Sequence, residues 1–258
     1  MSIVLKENEW AEKRIEEGVL DKKPSETLRR VARKYIDDGY SRREVRKLTE
    51  LFLLRCDPRA SLPKWSDAID YAVSRAYKYP AIQIESVHIT KSEMDKIDSL
   101  PGKQIKRLAF TLLCLSKYWY LVSPDTDHWV GNKDNEVMAL ANINTSIKRQ
   151  SMMYHSLREY GMVQFSRRVD NTSVKVCFAD DDSEVALCVS DFRNLGYQYL
   201  MYHGEPYIEC KNCGITIKVD NPHGAGRKQK YCKNCAFEIN MKNIINSVMK
   251  QRESKISV

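Results

Sequence analysis

The chain has 258 residues, 43% hydrophobic and 29% charged, enough apolar mass to fill one or two domain cores and too much for wholesale disorder. No apolar run approaches the roughly 18 residues of a membrane span, and the first twenty residues are charged throughout, without the ordered regions of a secretory signal. The expectation is a cytoplasmic protein with no membrane association. The net charge of +8 is unevenly spread: residues 1–99 hold 20 basic and 18 acidic side chains, 100–206 hold 12 of each, and 207–258 hold 10 and 4. The last fifth is therefore either a surface that attracts polyanions or a solvated, lysine-rich tail.

Residues 1–20 read as a charged helix closed at or just after Gly18. Pro24 with Ser25 and Glu26 marks the next start. Leu28, Val31, Ala32, Tyr35 and Ile36 then recur at helical spacing up to Gly39. Ser41 and Glu44 form a capping box for a helix that buries Val45, Leu48, Leu51, Phe52 and Leu54. A further helix up to Pro80 turns Trp65, Ala68, Ile69, Ala72, Val73 and Ala76 inward. Arg29, Arg30, Arg33, Arg42, Arg43 and Arg46 form a basic face, read first as solvated and second as a contact for nucleic acid or a partner. A strand-like stretch over 81–90 and a short helix and turn over 91–103 read as a connector. The first domain is thus helical and runs, with its connector, over 1–99.

The next segment, over 100–206, opens with a strongly apolar helix from Lys103. A short extended piece follows near Trp129, then a short helix with Val137, Met138, Leu140 and Ala141 inward. Asn142, Ile143 and Asn144 make a tight turn. The longer helix that follows turns Ile147, Met152 or Met153, and Leu157 to the core, with Gly161 as its cap. MVQFSRR and SVKVCFAD are alternating strands joined by VDNT, and EVALCVSDF is a candidate third strand. Cys56, Cys114, Cys177 and Cys188 sit in apolar runs and read as small core residues.

This order of elements resembles the winged helix-turn-helix fold over roughly 103–180, with LREYGMVQFSRR matching the junction of helix, glycine and first wing strand. The resemblance implies that the helix after the turn enters the DNA major groove while the wing lies on the backbone or minor groove. That helix would present Asn144, Thr145, Ser146, Lys148, Arg149 and Gln150, whose side chains suit guanine, adenine and phosphate. The wing would offer Arg167, Arg168, Asn171 and Lys175. The zero net charge of 100–206 and the acidic run Asp180–Asp182 speak for the protein-docking use of the same fold, and duplex DNA is placed ahead of it.

Tyr197, Tyr199, Tyr202 and Tyr207 read as a packing interface between modules, with stacking on unpaired bases as the alternative. Residues 207–258 carry Cys210, Cys213, Cys232 and Cys235 in C-x2-C-x18-C-x2-C spacing. Two such knuckles bring four thiolates onto one ion, most naturally a single structural Zn2+. Iron is the minor alternative, and redox dithiols are less favoured. Four sulfurs leave no open position for an activated water. Ile215–Val219 alternates as a strand, residues 220–226 turn, and Arg227, Lys228 and Lys230 put three cations beside the second knuckle. Phe237, Ile239, Met241, Ile244, Ile245, Val248 and Met249 form the apolar stripe of a trailing helix.

No P-loop, dinucleotide fingerprint, nucleophile elbow or H-E-x-x-H occurs, so a non-catalytic protein is expected. The fold class is α+β, mainly helical: a helical domain, a winged-helix domain and a small zinc ribbon with a trailing helix. With RKQKYCKNCA at the ribbon's end, the chain resembles the helical, winged-helix and zinc-ribbon proteins of bacteriophages and mobile elements of low-GC bacteria. That resemblance implies a DNA-binding factor in replication or transcription control. The alternatives are an adaptor or inhibitor docking on a host or phage protein, and an RNA-binding protein. The oligomeric state is not encoded in any of these patterns.

Overall fold

The computed structural model describes residues 3–167, 173–220 and 228–256, with side chains described as far as Met249. The chain divides into two compact units, Met1–Ser86 and Val87–Val258. Among the described residues the first is built of helices and the second of helices with small antiparallel sheets, an α+β protein in which no helix is long and apolar enough to cross a membrane.

The first unit contains α1 (Glu7–Glu17), α2 (Pro24–Asp37), α3 (Arg42–Cys56) and α4 (Leu62–Lys78). Gly18 ends α1 in the left-handed region, and the Ser41–Glu44 capping box opens α3. Leu28, Val31, Val45, Phe52, Ile69, Ala72 and Val73 form the shared core. One core position differs from expectation. Leu51 is 53% exposed and Leu53 is fully buried. The inward face of α3 runs through Val45, Thr49, Phe52 and Leu53, so Leu51 lies off it. Thr49 fits there because its hydroxyl donates to the Val45 carbonyl at 2.7 Å.

The expected six-arginine face does not form. Arg30 and Arg33 are buried and donate to the buried Glu7 carboxylate, at 3.0 and 2.6 Å. The same carboxylate accepts from the Ile82 backbone N–H at 3.2 Å, tying the start of α1 to the unit's C-terminal strap. Arg29 is half-buried, and Arg46 is paired with Asp70 and Glu50. Glu7→Ala would leave two guanidinium groups buried without their counter-charge. It is expected to cost about 3–5 kcal/mol, read as a drop in thermal midpoint or in denaturant midpoint. A change within experimental scatter would contradict the role given to Glu7.

The second unit begins with β1 (Val87–Thr90) and α5 (Lys91–Asp98), followed by α6 (Lys103–Val122), a 3-10 turn at Pro124–Thr126 and β2 (Trp129–Val130). Then come α7 (Asp134–Leu140), α8 (Ile147–Glu159), β3 (Val163–Phe165), β4 (Val174–Val176) and β5 (Val185–Val189). The unit closes with α9 (Leu195–Tyr202), β6 (Tyr207–Glu209), β7 (Thr216–Lys218) and α10 (Lys233–Ile256). Its axis is α6, on which every side chain from Leu108 to Tyr118 is buried. The boundary between units falls at Ser86/Val87 and not after residue 99. Residues 87–99 are no connector: β1 pairs with β5 from Val87↔Val189, and the buried Glu93 of α5 pairs with Lys117 of α6 at 2.8 Å.

Three sheets result, in the orders β1-β5, β2-β4-β3 and β6-β7. The strand beside the β3-β4 hairpin is thus β2, while β5 joins β1. On α8, Met153, Tyr154 and Leu157 face inward, whereas Ile147 is 83% exposed and Met152 is also exposed. Ile147 shares the helical face of Tyr154, seven residues on, but it is the first residue of α8 and stays exposed there. Of the four single cysteines only Cys114 is buried; Cys56 is half-buried, and Cys177 and Cys188 are exposed. These two lie at the edges of short strands, where alternation carries them outward.

The turn between α7 and α8 is latched from α9. Asn142 and Asn194 both take left-handed backbone angles, and their side chains are hydrogen-bonded at 2.9 Å. Gly196 allows this approach: a Cβ there would lie 1.9 Å from the Ala141 carbonyl oxygen. Because that neighbour is backbone, Gly196→Ala is expected to lower stability by about 1–3 kcal/mol or more, measured by thermal melting. Unaltered melting would show that α9 does not press on this turn. The tyrosines of this region do pack. Tyr199 is buried against Phe110, and Tyr197 and Tyr207 have ring centroids 4.8 Å apart, while Tyr202 is exposed.

Candidate metal centre and nucleic-acid interface

The first knuckle closes the β6-β7 hairpin. Gly214, at φ 76°, lets its N–H return to the Cys210 carbonyl at 2.8 Å, and the Cys210 N–H reaches the Ile215 carbonyl at 2.9 Å. The second knuckle runs into the first turn of α10, where the Cys235 N–H points at Cys232 Sγ at 3.5 Å. The four Sγ atoms of Cys210, Cys213, Cys232 and Cys235 all lie within 4.8 Å of one another. Cys213 and Cys232 stand 3.9 Å apart. A tetrahedron of thiolates about 2.3 Å from zinc has edges of about 3.8 Å, so the cluster fits that ion.

The surroundings favour thiolate. The Cys232 N–H lies 3.3 Å from Cys210 Sγ, and the Asn212 side-chain amide lies 3.4 Å from Cys235 Sγ. Burial pushes the Cys210 thiol up, but the backbone N–H groups of Cys232, Cys213 and Asn212 together outweigh it and bring it to about 6. Burial raises Cys213. At Cys235 the Asn212 amide pulls downward, yet burial and the neighbouring thiols carry the group up to about 12. One thiolate is thus ready at neutral pH, and a metal must displace the remaining protons. The start of α10 adds its positive dipole end. Arg193 anchors the first knuckle from outside through the Cys213 carbonyl at 2.5 Å, held in turn by Asp191. Neither Arg193 nor Asn212 stands out in the sequence, because only the fold brings them to the sulfurs.

The cations named from the sequence lie on separate elements. Asn144, Ser146, Lys148 and Arg149 are exposed at the start of α8, where the Ser146 hydroxyl caps the helix by accepting from the Arg149 N–H at 3.4 Å. Among the described residues, no carboxylate pairs with Lys148 or Arg149. The Gln150 amide donates one N–H to the Thr145 carbonyl at 3.0 Å. Arg167 is exposed at the end of the strand. Lys175 is neutralised by Asp127 on the loop before β2, which removes it from the set of free phosphate contacts. Lys228 and Lys230 are exposed beside the second knuckle. Arg168, Asn171, His223 and Arg227, and the turns at 169–172 and 221–226, lie outside the described residues.

Compared with protein-family models, with curated proteins and with solved structures, the chain matches none of them.

Proposed function

We propose that the chain is a non-catalytic, zinc-containing protein that binds duplex DNA through α8, serving replication or transcription control of the mobile-element kind. The observation that carries this reading is the order α6-β2-α7-α8-β3-β4 with sheet order β2-β4-β3. That is the arrangement a winged helix uses to project one helix beyond its sheet. The first turn of α8 carries two cations without a carboxylate partner among the described residues, and the turn before it an exposed amide, Asn144. The zinc would be held by Cys210, Cys213, Cys232 and Cys235, where it supplies a cross-link between two knuckles; Lys228 and Lys230 beside it add phosphate contacts.

A second reading, docking on a protein, is favoured by the exposure of Ile147 and Met152 on the same helix and of Phe237, Ile244 and Met249 on α10. Salt separates the two. Phosphate contacts release counterions, so duplex affinity is expected to fall by about one decade per decade of salt for each phosphate neutralised. An apolar protein contact is nearly indifferent. The test is titration of the zinc-loaded chain with a duplex of mixed sequence at low and high salt, competed by single-stranded RNA. Duplex binding that is weak at low salt, or that RNA displaces more readily than DNA does, would overturn the proposal.

A further inference from the structure

The first unit carries a surface that the duplex-binding proposal does not use. Tyr40, Tyr71, Tyr77 and Tyr79 are exposed, each between 39% and 59%. They cluster where the start of α3 meets the C-terminal half of α4. The Tyr77 hydroxyl reaches the Tyr40 carbonyl at 3.5 Å, and Arg42 donates to Ser74 at 3.0 Å while lying 5.8 Å from the Tyr77 ring. Arg75 lies 5.9 Å from the Tyr71 ring and 4.3 Å from that of Tyr79, and Lys78 lies 5.5 Å from Tyr79.

Unpaired cations accompany the rings. Among the described residues, Arg42, Arg43, Arg75 and Lys78 have no carboxylate partner. Of the acids on α3 and α4, Glu44 accepts from the Ser41 N–H and Asp70 pairs with Arg46. Elsewhere in the unit Glu7 pairs with Arg30 and Arg33, and Asp38 with Lys34. Arg42, Arg75 and Lys78 interleaved with four partly exposed rings match a ligand that alternates anions with flat aromatic groups.

From this juxtaposition we infer that the face of Tyr40, Arg42, Tyr71, Arg75, Tyr77 and Tyr79 is a binding site for single-stranded nucleic acid. Unstacked bases pile on tyrosine faces while the cations follow the phosphates. A duplex keeps its bases stacked on one another and offers the rings nothing. An acidic peptide would satisfy the cations and leave the rings exposed. The site takes either DNA or RNA strands, because stacking is tolerant of the base and of the sugar.

The test uses the full zinc-loaded chain and labelled oligo-dT and oligo-U strands, followed by fluorescence anisotropy. Tyr71→Ala and Tyr79→Ala are each expected to weaken single-strand binding roughly tenfold, and Tyr71→Trp to preserve it. Both rings are surface groups, so the thermal midpoint should not move. Lys148→Ala with Arg149→Ala, which addresses α8, should leave single-strand binding unchanged. That pair separates failure of this inference from failure of the duplex reading. Single-strand binding that survives both tyrosine changes and falls only with Arg75→Glu would overturn the stacking site. Displacement of the strand by poly-glutamate at equal charge concentration would overturn it as well.

Discussion

Cys210→Ser or Cys235→Ser is expected to abolish the bound metal, about one zinc per chain, and to open residues 207–240 to protease while the first unit stays resistant. The hairpin β6-β7 has three residues per strand, and the α10 side chains from Met241 to Met249 are exposed. So little buried apolar surface cannot offset the ordering entropy of this segment. Structural zinc supplies on the order of 10–16 kcal/mol at neutral pH, which is the folding free energy of such a ribbon. Chelation should reproduce the variants. Metal binding should also release protons, because the thiol of Cys235 is held up to about 12 and must ionise to bind. Affinity therefore falls as pH falls, protons competing for the same sulfurs. Metal analysis and limited proteolysis check the first part; calorimetry in buffers of different ionisation enthalpy checks the second. Unchanged metal content in Cys210→Ser, or a ribbon protected without metal, would remove the centre from the account.

Lys148→Ala with Arg149→Ala should weaken duplex binding by about ten- to a hundredfold, since a good cation-to-base contact contributes about 1–3 kcal/mol. If either side chain contacts phosphate instead, the loss is uniform across sequences and the salt slope drops by about one for each. Both are exposed and unpaired, so the stability of the unit should hold. Gln150→Ala is expected to have the smaller effect, because one N–H of its amide is already engaged by the Thr145 carbonyl. Lys175→Ala should likewise change little, because Asp127 already neutralises it.

Local signals explain which parts of this molecule the sequence reveals. The capping box at Ser41, the left-handed stops at Gly18 and Gly161, and the C-x2-C pairs each depend on neighbours within a few residues, and the structure has all of them. What the sequence hides depends on distant partners. Arg30 and Arg33 look like surface cations until Glu7, more than twenty residues earlier, is seen buried between them. Residues 87–99 look like a connector because their partner β5 lies about a hundred residues on. Leu51 is misplaced by helical phase, the inward face passing through Thr49 instead, and Ile147 is in phase with Tyr154 but stands exposed at the first position of α8. An apolar neighbourhood misleads at Cys177 and Cys188, because alternation along the strand turns both outward while Val176, Phe178 and Val189 are buried. At the proposed nucleic-acid surface the types of residue are legible but their pairing is not: Lys175 is paired with Asp127, and Arg75 and Lys78 on α4, unmarked by any motif, have no carboxylate partner among the described residues.

The claim that α8 reads DNA is tested most directly by selection from a pool of random duplexes with the zinc-loaded chain and with its Lys148→Ala, Arg149→Ala variant. The account predicts that the parent enriches a short common motif at moderate salt, and that the variant enriches none while still folding and holding zinc. Recovery of the same motif by both proteins, or of no motif by the parent, would contradict it.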